Sequence, residues 1–221
     1  MSDDLRELLA KAKGSAATSR VTRLDQLLTP ATERDRWGLD ALRGRLVELS
    51  ARGATATLTT AIELVLEAQH ADEPVAWMTF GNATFYPPDV ADSGVDLAAL
   101  VVVRATDATA SARAAERLLR SGGFGLVVLD FGGGGAVELP IAHQGRLITL
   151  AQAHDAAVVC ITEKPNDAAS LGSLVSLRAE AFRMCDRDRA RGYDVTVRAL
   201  KDKRRGPGWS RTIKLRGPSG W

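Results

Sequence analysis

The stretch Ser50-Ala51-Arg52-Gly53-Ala54-Thr55-Ala56-Thr57-Leu58-Thr59-Thr60 joins a short apolar run to a helix-length segment, the place where a phosphate-binding loop would lie. A working loop has the form G-x-x-x-x-G-K-[ST]. Its glycines let amides wrap the phosphates, its lysine meets their charge and its hydroxyl holds Mg²⁺. Here Gly53 is the one glycine, Ala56 stands for the second, and Thr57 or its neighbour stands where the lysine belongs. A helix N-terminus and the hydroxyls of Thr57 and Thr59 remain, without the charge that neutralises a triphosphate. Further on, Leu126-Val127-Val128-Leu129-Asp130 has the form of a Walker B strand that ends in its carboxylate, followed by the glycines 132–135. Gly53, Thr57, Thr59 and Asp130 therefore read as a vestigial nucleotide site, and no cofactor is expected.

Other reactive side chains have duller readings. His70, His143 and His154 have no partner at metal-ligand spacing and are expected on helix surfaces or ends. Cys160 lies inside an apolar strand and reads as core. Cys185 neighbours Asp186 and reads as an exposed thiol at most. No Cys/His spacing suggests zinc. Trp77 reads as core. From Arg198 to Trp221 there are eight basic residues and one acid, which leaves residues 1–197 at net −5 although the whole chain is +2. An acidic partner would feel that concentration of charge. Lys201, Lys203, Arg204, Arg205 and Trp209 are the candidates for contact with protein or DNA. A solvated turn around Gly206-Pro207-Gly208 is the alternative.

These residues need elements to carry them. Leu46–Ser50, Val75–Phe80, Leu100–Arg104, Leu126–Asp130 and Ala157–Thr162 are short and apolar. Leu58–His70, Ala108–Ser121 and Ile141–His154 are helix-length. This alternation predicts an α/β fold with a mostly parallel central sheet covered on both faces by helices. Leu174–Arg183, Tyr193–Lys201 and Ser210–Leu215 alternate apolar with polar, predicting antiparallel C-terminal strands. Residues 1–13 read as a short helix with Leu5, Leu8 and Leu9 on one stripe, a docking element ahead of a small-residue linker. The expected division is 1–43 as N-terminal helix and linker, 44–200 as core and 201–221 as a basic C-terminal segment. With 221 residues, 45% hydrophobic and 25% charged, the chain supports one substantial core and is not disordered throughout. No apolar run approaches a membrane span, and the acidic start is unlike a secretory signal, so a cytoplasmic protein is expected.

Taken together, these segments resemble the RecA-type ATPase core across roughly residues 24–215. Gly44-Arg45-Leu46-Val47-Glu48-Leu49 resembles the strand that introduces its P-loop, and Ser121-Gly122-Gly123-Phe124-Gly125 resembles the approach to Walker B. Lys201-Asp202-Lys203 resembles the Lys-x-Lys pair that reaches a neighbour's nucleotide. The acidic residue that would polarise water after Val75–Phe80 is absent. Phe85-Tyr86-Pro87-Pro88, Ala115–Gly122, Ser170–Arg178 and Lys201–Gly208 in combination resemble the ImuA family of RecA-like SOS mutagenesis proteins. That resemblance implies a non-catalytic adaptor in translesion synthesis. Its implied partners are RecA, an inactive Y-family polymerase homologue (ImuB) and an error-prone replicative polymerase.

Three rivals differ in what they require. A divergent ATPase would use Asp130 with Lys201 or Lys203 from a neighbouring subunit. A DNA-binding module would work through the basic segment. A cell-division inhibitor of the same degenerate fold shares the adaptor logic without the matching phrases.

Overall fold

The computed structural model describes residues 37–52, 55–81, 85–133, 137–184 and 193–215. The chain divides into residues 1–31 and 32–221, and the described residues belong to the second unit. Leu5, Leu8, Leu9, Gly53 and Cys185 lie outside them.

Eight strands form one sheet. In chain order they are β1 (Arg45–Ser50), β2 (Val75–Thr79), β3 (Leu100–Arg104), β4 (Leu126–Asp130), β5 (Ala157–Thr162), β6 (Leu177–Met184), β7 (Tyr193–Asp202) and β8 (Ser210–Leu215). Their spatial order is β3-β2-β4-β5-β1-β6-β7-β8. β3 through β6 in that order pair in parallel, whereas β6–β7 and β7–β8 are antiparallel. The helices are α1 (Leu39–Leu42), α2 (Thr57–His70), α3 (Pro87–Asp92), α4 (Ala108–Arg120) and α5 (Ile141–Ala153). The fold is α/β, with a mostly parallel, helix-covered RecA-like core and antiparallel C-terminal strands.

Successive side chains of a strand point to opposite faces, so the apolar strands feed two cores. One holds Val47, Leu49, Trp77, Val128 and Val159 under Leu64 and Val65 of α2. The other holds Leu46, Met78, Val127, Leu129 and Cys160 under Leu119 of α4 and Leu147 of α5. Trp37, Leu39 and Leu42 are buried in the first, so the core takes in residues ahead of Gly44. Asp107 starts α4 by accepting the Ala110 N–H at 2.8 Å, an ordinary N-cap. α2 has no such cap, since Ala56 holds that position.

β6 starts at Leu177, later than the Leu174 expected from alternation. Gly172 to Ser176 instead make a turn, from which the Ser176 N–H reaches the Leu46 carbonyl. Beyond β7 the chain reverses through Gly206 and Gly208, whose φ angles of +79° and +91° suit glycine. A buried ion pair closes this end. Arg45 Nη2 and Asp202 Oδ1 lie 2.6 Å apart, with side chains 1% and 0% exposed. The Arg204 N–H and the Trp209 indole also donate to Asp202, at 2.9 and 3.1 Å. Burial alone would raise the Asp202 pKa, but these donors together hold it below the usual carboxylate value.

Candidate functional site

The carboxyl ends of parallel strands are where an α/β sheet presents ligands. β1, β4 and β5 end around a cavity of about 250 Å³, lined among others by Thr55, Thr57, Asp130, Gly132, Thr162 and Glu163. Thr57 and Asp130, separated by most of three βα units, both line it. Thr59 lies in the first turn of α2 but is not among the lining residues.

Residues 55 and 56, at the α2 end of the loop that follows β1, are tied to β6. Thr55 forms an isolated antiparallel bridge with Phe182 of β6, and the Ala56 N–H donates to the Ala181 carbonyl at 3.2 Å. A phosphate-binding loop works through amides that converge on the anion; here one of them is taken up by β6. The lining also carries two carboxylates, Asp130 and Glu163, and no Lys or Arg among the described residues. A triphosphate would meet repulsion without a counter-charge, in a space below the ~300–1,000 Å³ common for ligand sites. The residues present do not fit Mg-nucleotide.

Asp130 is 2% exposed. Its Oδ1 accepts the Gly132 N–H at 3.0 Å, while Oδ2 has no hydrogen-bond partner. Burial pushes its pKa up. The Gly132 amide and the nearby Trp77 indole pull it part of the way back, although the indole N–H makes no hydrogen bond of good geometry. Phe80, where the water-polarising acid was sought, instead packs its ring 5.6 Å from that of Phe131.

Sequence reasoning missed a second buried carboxylate close by. Glu48, fully buried in β1, accepts from Thr162 Oγ1 at 2.8 Å and from the Leu171 N–H at 2.7 Å. Its Oε1 lies 2.6 Å from Lys164 Nζ, and Arg178 Nε is 4.0 Å from Oε2. Arg178 in turn donates to Ser50 Oγ at 3.0 Å and to the Pro165 carbonyl at 2.7 Å. The loop after β5 is fastened by charge where a mobile binding loop would be free. The available signal was a lone acid inside Leu46-Val47-Glu48-Leu49.

The basic segment is built into the fold more than its composition suggested. Lys201 Nζ donates to Ser170 Oγ at 3.2 Å, and burial followed by Lys203 lowers its pKa. Lys203 Nζ donates to the Ser173 carbonyl at 2.7 Å, and the Arg204 guanidinium reaches the Arg43 and Gly44 carbonyls at 3.4 Å. Lys203, Arg204 and Arg205 are exposed, whereas Trp209 is 8% exposed and faces the core. Among the described residues, the surface offered by this segment is therefore cationic, not aromatic.

Of the histidines, His70 and His154 are exposed at helix ends, but His143 is buried, with Nδ1 2.6 Å from Glu116 Oε1. Cys160 is fully buried as expected, and burial pushes its thiol up. No group of three or more His, Cys, Asp or Glu among the described residues could hold a metal, and none of the described helices is long and apolar enough to cross a membrane.

No protein-family model matches the chain. No curated protein matches it.

Proposed function

We propose that this chain is a non-catalytic RecA-like adaptor of SOS-induced DNA repair and translesion synthesis, binding RecA and an inactive Y-family polymerase homologue. An error-prone replicative polymerase is the further partner implied by the ImuA resemblance. The observation that carries the non-catalytic half is the tie between the degenerate loop and β6, which takes up the Ala56 amide beside a cavity bearing carboxylates alone. The adaptor half is supported by β3, a sheet edge among the described residues, with Val101 44% and Val102 38% exposed. An edge strand with free main-chain groups and apolar side chains is a template for strand addition.

Binding of the full chain to RecA and to the polymerase homologue, each with and without Mg-ATP, tests this. Binding to either partner that is indifferent to nucleotide supports it. Calorimetric heat and a thermal shift with Mg-ATP, without partner binding, overturn it in favour of a divergent ATPase.

A DNA-binding role for the basic segment is the second reading, favoured by one observation. Among the described residues, neither the Lys203 ammonium nor the Arg204 guanidinium pairs with a carboxylate; both donate to main-chain carbonyls. Duplex affinity falling in log–log slope by about 0.9 per phosphate contact as salt rises would support that reading; affinity independent of salt would sink it.

A further inference from the structure

α4 and α5 lie side by side on one face of the sheet and together carry four arginines and a single acid. Arg113, Arg117 and Arg120 of α4 follow at i, i+4 and i+7, exposed along one stripe. The acid, Glu116, is 8% exposed and turned inward, where Arg146 Nε of α5 donates to it at 2.9 Å. The Arg146 side chain stays half exposed beside the stripe.

Nothing in the described fold neutralises the stripe. Among the described residues, none of the three α4 arginines makes a hydrogen bond or ion pair. Asp107 is held low chiefly by the Ala110 amide, with Arg113 the weakest influence on it. Like charges at i and i+4 work against a helix. The dipole favours Arg117 and Arg120, which lie in the last turn, but Arg113 sits in the first half of α4, where it does not. The stripe also runs against its setting, since residues 1–197 are net −5. Departures from local preference of this kind are expected where a site must meet something from outside.

A second row of cations stands on the other flank of α5. Lys203 Nζ donates to the Ser173 carbonyl, in the turn whose Leu174 N–H donates to Gln144 of α5. Arg204 lies at Gly44, where an added Cβ would be 3.7 Å from its guanidinium and 3.5 Å from Gln152 of α5. Gln144 and Gln152 stand about 160° and 120° round α5 from Arg146. α5 therefore runs between two cationic rows and shows Ala142, Thr149 and Ala153 outward. A helix with its side chains is about 10–12 Å across, close to the ~12 Å width of a B-DNA major groove. Rows on its two flanks are spaced for phosphates of both strands.

We infer that the arginine stripe of α4 binds the phosphodiester backbone of duplex DNA without reading its sequence. Arg113, Arg117 and Arg120 meet phosphates of one strand, while Lys203 and Arg204 face the other. A guanidinium suits this work because its planar fork matches phosphate oxygens. An acidic protein is disfavoured, since a protein interface centres on apolar and aromatic anchors. Ile141 is the one large apolar residue exposed on either helix, too little for such a centre. Single strands are held by stacking aromatics, and neither helix carries Phe, Tyr or Trp. α4 thus adds to the DNA-binding reading of the basic segment and rests on its premise of a duplex partner.

The test is fluorescence anisotropy of the full chain with two short labelled DNA duplexes of unrelated sequence, from about 50 to 200 mM salt. Both are expected to bind equally, with log affinity falling linearly in log salt. The triple variant Arg113→Gln, Arg117→Gln, Arg120→Gln should flatten that slope by about 2.7, three contacts at about 0.9 each. These are surface substitutions, expected to change stability by no more than about 0.5 kcal/mol, and urea midpoints check it. The double variant Lys203→Gln, Arg204→Gln is a separate arm, so the triple variant decides α4 and the double variant decides the basic segment. An unchanged slope in the triple variant overturns the inference, even where the double variant flattens it and the basic segment stands. No binding by the wild-type chain, or tighter binding of polyglutamate than of duplex, overturns it as well.

Discussion

Among the described residues, the sheet ends in two strands paired on one side only, and they are built differently. β8 alternates, with Thr212 and Lys214 outward and Ile213 in the core, so its free edge is bordered by charge. It stands next to the buried Arg45–Asp202–Trp209 cluster. β3 reads Leu-Val-Val-Val-Arg, with no charge before its last residue, no proline, and valines exposed on both faces. Charges, prolines and bulges are how sheet edges are normally guarded against pairing. One end of the sheet is closed by ionic chemistry, and the other is left as an apolar template. That contrast places the buried ionic cluster at the antiparallel end and the edge proposed for strand addition at the parallel end.

The most severe way to break the contrast is Asp202→Ala. It strands Arg45 in the interior and removes the acceptor of the Trp209 indole, which should cost about 3–5 kcal/mol, read as a lower midpoint in urea. A loss below 1 kcal/mol would mean the antiparallel end is not held as described.

The same carboxylate sets an acid limit. Its folded pKa lies below the usual value, so its contribution is present above the unfolded pKa and is lost as pH falls through the folded one. Asp202→Asn should flatten that part of the stability–pH profile.

Asp130 should behave in the opposite sense. Its folded pKa is raised by burial, so folding favours its protonated form and the charged form opposes folding near neutrality. Asp130→Asn should therefore stabilise by about 1 kcal/mol at neutral pH, the order of one unsatisfied buried group. The gain should fade as pH drops below the ordinary aspartate pKa, where the wild-type carboxyl is neutral in both states. A loss of stability at neutral pH would show that the carboxylate has a partner in solution.

The smallest effect on folding is expected from Val102→Lys on β3, within about 0.5 kcal/mol by thermal melt. The same substitution should abolish partner capture if strand addition is the mode of docking. Unchanged capture would move the docking surface elsewhere and dissolve the contrast.

Much of the fold was legible because apolar strand runs and amphipathic helices are local signals. β3, β4, β5 and β8 occupy the predicted residues, and α2, α4 and α5 differ from their predicted bounds by one residue at an end. That Asp130 and Thr57 line one cavity follows from the same local signals, a strand end and a helix start at the carboxyl edge of one parallel sheet. Long-range polar pairing was not legible. Glu48 finds Lys164 and Arg178 more than a hundred residues away, and nothing in a strand of leucines and valines announces which cations will meet the acid. Trp209 sits in a run of cations, yet its indole is claimed by Asp202, a partner that only the hairpin brings near. His143 looked like a surface residue because its helix face was judged without α4 packed on it.

The stitch between Ala56 and Ala181 also bears on motion. Hydrogen exchange at the Ala56 amide requires the loop to part from β6, a strand embedded between β1 and β7. Protection at that amide would therefore report the local pairing of residues 55 and 56 with β6. The end of the loop that in a nucleotide-driven machine would answer to the phosphates is, in this chain, wired to a strand.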